Sequence, residues 1–280
     1  MPELRRAASP LRVDAFRSLD QFRADWDRID ISLLPGIEQE DYYVGLAAST
    51  RCVELAQRLR YEVFNIELGE GLASSAVDGL DQDAFDAQMS HLVLVNRADG
   101  SLAGTYRLQT VRQALAAKGL YSAQEFDTAG LAPYFGQAVE LGRACLSMPH
   151  RTFPAVIALW QGIGAFLKIH DHHYVFGCCS LTTQDPDDGW RALKTIRANG
   201  YLNPDLYLPA RPNHSCGDPG REFDPALGDP IPLPKLFRTY MRLGTRVISE
   251  PAIDREFGTV DFLVMLDALT VTLSRLDITR

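Results

Sequence analysis

The sequence predicts an α/β protein with one mixed central sheet and helices on both faces. Three observations predict it. Short apolar runs bounded by turn residues recur as buried strands. Apolar residues at spacings of three and four fill the stretches between them. An Asp99-Gly100 turn joins two of the strand-like runs into a hairpin, whereas other runs are joined by helical crossovers, so the sheet is mixed. The 280 residues, 46% apolar and 23% charged, provide a sizeable core for a soluble globular chain.

Residues 1–42 read as an N-terminal extension and 43–280 as one domain, without internal repeats. Within the extension, Asp14 to Ile29 carries Phe16, Leu19, Phe22, Trp26 and Ile29 at helical spacing. This amphipathic helix either packs on the core or lies in a lipid interface. A Pro-Gly and acidic linker follows over 32–42. Tyr43 to Ala47 is a short strand, and Ser49 to Phe64 a helix capped by Ser49 or Thr50. Residues 65–90 are a glycine-bearing loop with Asp78, Asp81, Asp83 and Asp86. His91 to Val95 and Ser101 to Leu108 form the hairpin. A helix over 110–118 and a shorter one at Glu125 to Leu131 lead to the central strand, Val139 to Leu146. Pro154 to Lys168 is a strongly apolar, mostly buried helix, and Tyr174 to Leu181 a buried strand. A polar helix spans 189–199, and a Pro/Gly-rich loop 203–232. A helix from Leu233 to Leu243 ends at Gly244, before strands at Arg246 to Ile248 and Asp261 to Leu266.

Composition excludes several classes. A net charge of −8 and a pI near 5.3 argue against a nucleic-acid partner. Five cysteines without CxxC spacing read as free thiols in a reducing cytoplasm. The first residues lack the apolar stretch of a signal peptide, and no long apolar run spans a membrane, although a peripheral contact with the inner membrane stays open. Neither GxGxxG, GxxxxGK[ST] nor GxSxG occurs. His170, His172 and His173 close a helix, where cations are favourable, and Asp185, Asp187 and Asp188 surround Pro186 as turn or N-cap residues. No metal is expected from either group.

Charge inside the apolar runs is the strongest signal of chemistry. Glu140 and Arg143 stand in the central strand, and Arg107 in the hairpin strand beside it. Burying such groups costs several kcal/mol unless each finds a partner. Together with Arg60, Asp83 and Asp86 they form either a self-neutralising network or the wall of a cleft that orients a cationic amine, with Glu140 as its general base. Lys235, Arg238 and Arg242 recur at three and four residues, with no acid from Pro234 to Ser249. On an acidic protein this stripe is a solvated face or a dock for an anionic partner.

In chain order, Arg60-x-x-x-Phe64, Asp83-x-x-Asp86, His91-Leu92, Gly104-Thr-Tyr-Arg107, Tyr121-Ser-x-x-Glu-Phe126 and Glu140-Leu-Gly-Arg143-x-Cys145 resemble the bacterial ornithine-lipid acyltransferases. These are the hemolysin-like branch of the GNAT N-acyltransferases, related to the acyl-homoserine-lactone synthases. Phe176-Gly-Cys-Cys-Ser-Leu181 and Pro251-Ala-Ile-Asp254…Phe257-Gly-Thr-Val-Asp-Phe262 look like the same branch. The resemblance implies a GNAT-like fold and transfer of a fatty acyl group, often 3-hydroxyacyl, to the α-amine of ornithine. The donor would be a phosphopantetheine thioester on acyl carrier protein, or acyl-CoA, with no bound cofactor. Glu140 and Arg143 would then be catalytic, and Arg60, Phe64, Asp83, Asp86 and Arg107 would bind substrate. The usual GNAT phosphate loop is not evident after the central strand. Met148-Pro-His-Arg-Thr152 stands there, with Arg151 beside a helix N-terminus that can accept the donor phosphate. Lys235, Arg238 and Arg242 would dock the carrier protein. Alternatives are an N-acyl amino acid synthase acting on glycine or another amine, and a non-enzymatic lipid-binding protein.

Overall fold

The computed structural model describes residues 29–37 and 39–270, so the helix expected from Asp14 lies, but for Ile29, outside the described residues. The strands are β1 (Ile31–Leu33), β2 (Tyr42–Ala47), β3 (Ser90–Asn96), β4 (Leu102–Thr110), β5 (Ala138–Leu146), β6 (Tyr174–Leu181), β7 (Arg246–Val247), β8 (Ala252–Asp254) and β9 (Thr259–Asp267). They form one sheet in the order β1-β2-β3-β4-β5-β6-β9-β7, with β8 paired to β9. Among the described residues, neighbouring strands are antiparallel except β5 and β6. The sheet is mixed, as expected. The short strands β1 and β8 were not legible, and β1 lies within the segment read as an N-terminal extension.

Five helices flank the sheet among the described residues: α1 (Thr50–Tyr61), α2 (Val111–Leu115), α3 (Phe153–His170), α4 (Pro186–Ala198) and α5 (Lys235–Arg242). Local chemistry sets their ends. The Ser49 hydroxyl accepts the Cys52 N–H at 3.3 Å and starts α1, which continues as a wider turn through Glu67. Thr110 and Gln113 close a capping box on α2. Asp185 caps α4, and Pro186 opens it. The helix expected at Glu125 to Leu131 does not form. Phe126 instead bridges Ala210, and 3₁₀ turns with Pro133 inside follow over Thr128–Gln137.

On one face, α3 covers Leu92, Leu108, Val139 and Val175, while α4 and α5 cover Cys179, Val260 and Phe262. Gly162 lets α3 approach closely, since a Cβ there would lie 2.7 Å from Val44 Cγ1. By length and composition α3 could cross a membrane, but eight of its residues are buried in this contact. The opposite face carries α1 over Val93, Val95 and Leu102, and α2 beside Phe176 and Met265. On α5 the core-facing residues are Phe237, Tyr240 and Met241, while Leu236 is exposed.

Two irregularities in β5 matter for function. Its parallel pairing with β6 runs only from Ala138↔Tyr174 to Leu141↔Gly177, although both strands continue, so they part beyond that point. Against β4, Arg107 pairs Gly142 and Thr105 pairs Cys145. Two steps on β4 thus oppose three on β5, which defines a β-bulge. Arg143 sits in the bulge with φ +52°, an uncommon conformation for a non-glycine residue.

Candidate active site

The face under α1 and α2 gathers the predicted charges. Arg60, in the last turn of α1, is fully buried and donates to Asp86 Oδ1 at 2.7 Å and to the Asp81 carbonyl. Arg107, on β4, donates to Asp83 Oδ1 at 2.7 Å and lies 3.5 Å from Asp86 Oδ2. Arg143 reaches Asp81 Oδ1 at 3.4 Å, Asp83 Oδ2 at 3.3 Å and the Tyr121 hydroxyl at 3.1 Å. The guanidinium also lies 4.3 Å from the Phe257 ring centre. Strict alternation along β5 would send Arg143 to the face opposite Glu140; the bulge turns it onto the same one.

These contacts set the protonation states. Burial pushes the Asp86 carboxyl up, but Arg60 and Arg107 outweigh it and hold the group below its ordinary value. Burial pulls the Arg60 guanidinium down, opposed by Asp86 and Asp81. Burial and neighbouring Arg60 also lower His91, whose Nε2 lies 3.1 Å from the Asp86 carbonyl. Arg143 is raised despite its burial, through Tyr121, Asp81 and Asp83.

Glu140 stands apart from this network. Its carboxylate is buried and accepts four hydrogen bonds: from Gln109 Nε2 at 2.6 Å, Tyr121 N–H at 2.9 Å, Ser122 N–H at 2.8 Å and Ser122 Oγ at 2.6 Å. Those donors occupy the acceptor sites of both oxygens and leave none facing an amine. The carboxylate therefore pins the 121–122 turn that carries the Tyr121 hydroxyl to Arg143.

Other expected site residues are placed as follows. Phe64 is buried, edge-on to Phe257 with ring centres 5.2 Å apart, and so supports the ring under Arg143. Arg151 precedes the Thr152 cap of α3, but its guanidinium is engaged by Glu67 and the Leu146 carbonyl. Lys235, Arg238 and Arg242 lie on the exposed side of α5, away from the Asp–Arg network.

Sequence reasoning missed an acidic group on the same face. Glu125 follows the 122–124 turn, Cys178 is on β6 and Asp261 on β9, with one ligand atom of each within 4.8 Å of the others. It also missed a small cavity on the opposite face, where β5 and β6 part. Tyr106, Leu141, Trp160, Val175, Tyr240 and Val264 line it, and its volume of about 30 Å³ has room for about two water molecules. The opening thus has an apolar chamber on one side and the charged groups on the other.

Residues 59–161 match the family model described as an acetyltransferase (GNAT) domain. Fold and match together define an N-acyltransferase of the GNAT class. An L-ornithine N(alpha)-acyltransferase of Agrobacterium fabrum is 33% identical over 236 residues, covering 81% of this chain and 80% of that protein. The one from Brucella abortus is 31% identical, covering 88% and 89%. The solved AHL synthase LasI matches with a TM-score of 0.48 at 11% identity, over 84% of this chain and 94% of that one. The chain belongs to the L-ornithine N(alpha)-acyltransferase family.

Proposed function

We propose that this enzyme transfers a fatty acyl group from acyl carrier protein to the α-amine of ornithine, giving a lyso-ornithine lipid in the cytoplasm, at the inner-membrane surface. The observation that carries the reading is the parting of β5 from β6 beyond Leu141 and Gly177. Strands that stop pairing leave backbone groups able to bond an extended pantetheine arm and polarise the thioester carbonyl. The acyl chain would enter the chamber lined by Tyr106, Trp160 and Tyr240. A chamber this small must widen to hold a fatty chain. The amine would approach from the charged face.

The reaction needs no covalent enzyme intermediate. The neutral amine nitrogen bonds to the carbonyl carbon, the C–S bond breaks, and the proton shed by nitrogen ends on the departing sulfur. Arg60, Arg107, Asp83 and Asp86 act as a rigid wall that holds Arg143 and Tyr121 at the opening. Glu140 supports this wall through the 121–122 turn, a positioning role rather than that of the base.

The choice of carrier protein over CoA rests on the exposed Lys235, Arg238 and Arg242 of an acidic protein, and on an Arg151 already engaged by Glu67. Purified enzyme given acyl-carrier-protein and CoA thioesters with ornithine should release free thiol and form an N-acyl-ornithine mass. Reversing Lys235 and Arg238 to Glu should raise KM for the carrier thioester only. An equal change for the CoA thioester would sink the docking assignment, and absence of any amide product would sink the acyl-transfer reading.

A further inference from the structure

The group around Cys178 has no role in the network described above. Glu125 is 1% exposed and Asp261 5%. Glu125 Oε1 lies 3.9 Å from the Cys178 sulfur, whose thiol donates to it, while Oε2 has no hydrogen-bond partner. Asp261 Oδ1 has none either. Asp254, on the adjacent β8, is also buried and spends its Oδ1 on the Glu256 and Phe257 N–H groups. Burying carboxylate oxygens without donors costs several kcal/mol, and folding alone offers no reason to collect them here.

Position supplies the reason. Cys178 is the first β6 residue past the last pair with β5, so the group lies at the rim of the opening. Alternation puts the Cys178 and Asp261 side chains on the same face as Glu140 and Arg107, while Cys178 also borders the acyl chamber. One carboxylate oxygen of each acid and the Cys178 sulfur lie within 4.8 Å of one another, and each acid also holds a buried oxygen without a donor, which suits a compact cation with several N–H donors.

We propose that Glu125 and Asp261 bind the terminal ammonium of a cationic amino-acid acceptor, which rests on the reading of the enzyme as an ornithine acyltransferase. The consequence is chemical as well as steric. An ammonium held by carboxylates stays protonated and cannot act as a nucleophile. The α-amine, outside this grip, is left to attack the thioester, so the subsite fixes which of the two amines is acylated. Burial and the neighbouring acids push Glu125 well up and Asp261 up to about 6, so a bound cation would replace the protons they hold. The same surroundings keep the Cys178 thiol protonated and non-nucleophilic.

The test compares ornithine with norvaline, which has the same chain without the terminal amine, as acceptors for the wild type, Glu125→Gln and Asp261→Asn. The wild type should favour ornithine, and each variant should narrow the kcat/KM ratio about tenfold or more, chiefly through the ornithine KM. A ratio does not depend on the fraction of protein folded. Loss of α-over-δ regioselectivity in the variants would support the assignment further. Variants with the wild-type ratio would overturn it, as would an activity that requires added Zn²⁺. Calorimetry without donor separates this from the parent reading. Preference for ornithine over norvaline in binding, lost in the variants but without acyl transfer, would support the subsite and overturn the transferase reading.

Discussion

On one face of β4, β5 and β6, Tyr106, Leu141 and Val175 meet Trp160 and Tyr240. The side-chain hydroxyls there are those of Tyr106 and Tyr240, 3.2 Å apart, and the unpartnered one of Thr245. On the other face of the same strands, Arg60, Arg107 and Arg143 interlock with Asp81, Asp83 and Asp86. The first face is held by packing, which tolerates adjustment, and contains free volume. The second is held by directional charge pairs, whose members depend on one another. The proposed reaction, with a flexible chain entering on one side and an amine oriented on the other, would use this asymmetry. Substitutions on the apolar face should alter donor selection; those on the charged face should alter stability and acceptor handling.

The largest effect should come from Arg60→Ala. It strands Asp86 and Asp81 in a buried site, and urea denaturation should show a loss of about 3–5 kcal/mol. A loss below about 1 kcal/mol would mean that the charged face is not a coupled unit. Trp160→Ala should cost about 2 kcal/mol, less than for a fully buried tryptophan because Trp160 is half-buried. It should also shift donor preference to longer acyl chains while the ornithine KM stays constant. Movement of the ornithine KM instead would erase the division between the faces. Glu140→Gln should lower kcat/KM about tenfold to hundredfold at every pH, by loosening the 121–122 turn. If the variant instead lost the acid limb of the pH profile, Glu140 would be the base.

The smallest effect is a pH slope. Asp261 is raised by burial and by Asp254, and it faces Glu125 and Cys178, with Arg143 acting against the shift. A folded carboxyl that holds its proton more tightly than the unfolded one makes stability fall as pH climbs from about 4. Without acceptor, the melting temperature should therefore decline up to about pH 6, more steeply for the wild type than for Asp261→Asn. Ornithine should flatten the wild-type slope. Identical slopes in both proteins would leave Asp261 without an unusual proton.

Much of this was legible because it rests on local pattern. The Ser49 cap, the Asp99-Gly100 hairpin and the long strands follow from side-chain periodicity and turn chemistry. So does the network of Arg60, Arg107 and Arg143 with Asp83 and Asp86, since charges in apolar runs must find partners. The fine geometry was not legible. Nothing in Glu140-Leu-Gly-Arg143 announces an extra residue on β5, because a bulge depends on the register with β4. The acidic subsite joins a turn, β6 and β9 across more than a hundred residues, so no window contains it. A signal was present all the same: Asp261 interrupts the apolar run Val260 to Leu266, much as Glu140 and Arg143 interrupt theirs.

The extra residue of β5 also acts as a phase shifter. Before it, even-numbered positions such as Glu140 look toward α1 and α2; after it, odd-numbered Cys145 does, while Ala144 and Leu146 join the α3 side. The two halves of the strand thus run out of step, and the parity of one is meaningful only relative to the length of the kink between them. Deleting Arg143 would bring the halves back into step: Gly142, Ala144 and Cys145 would oppose Arg107, Tyr106 and Thr105 in turn, and every remaining side chain would keep its face. Only the guanidinium at the opening would be lost, so the extra residue serves the site and not the sheet.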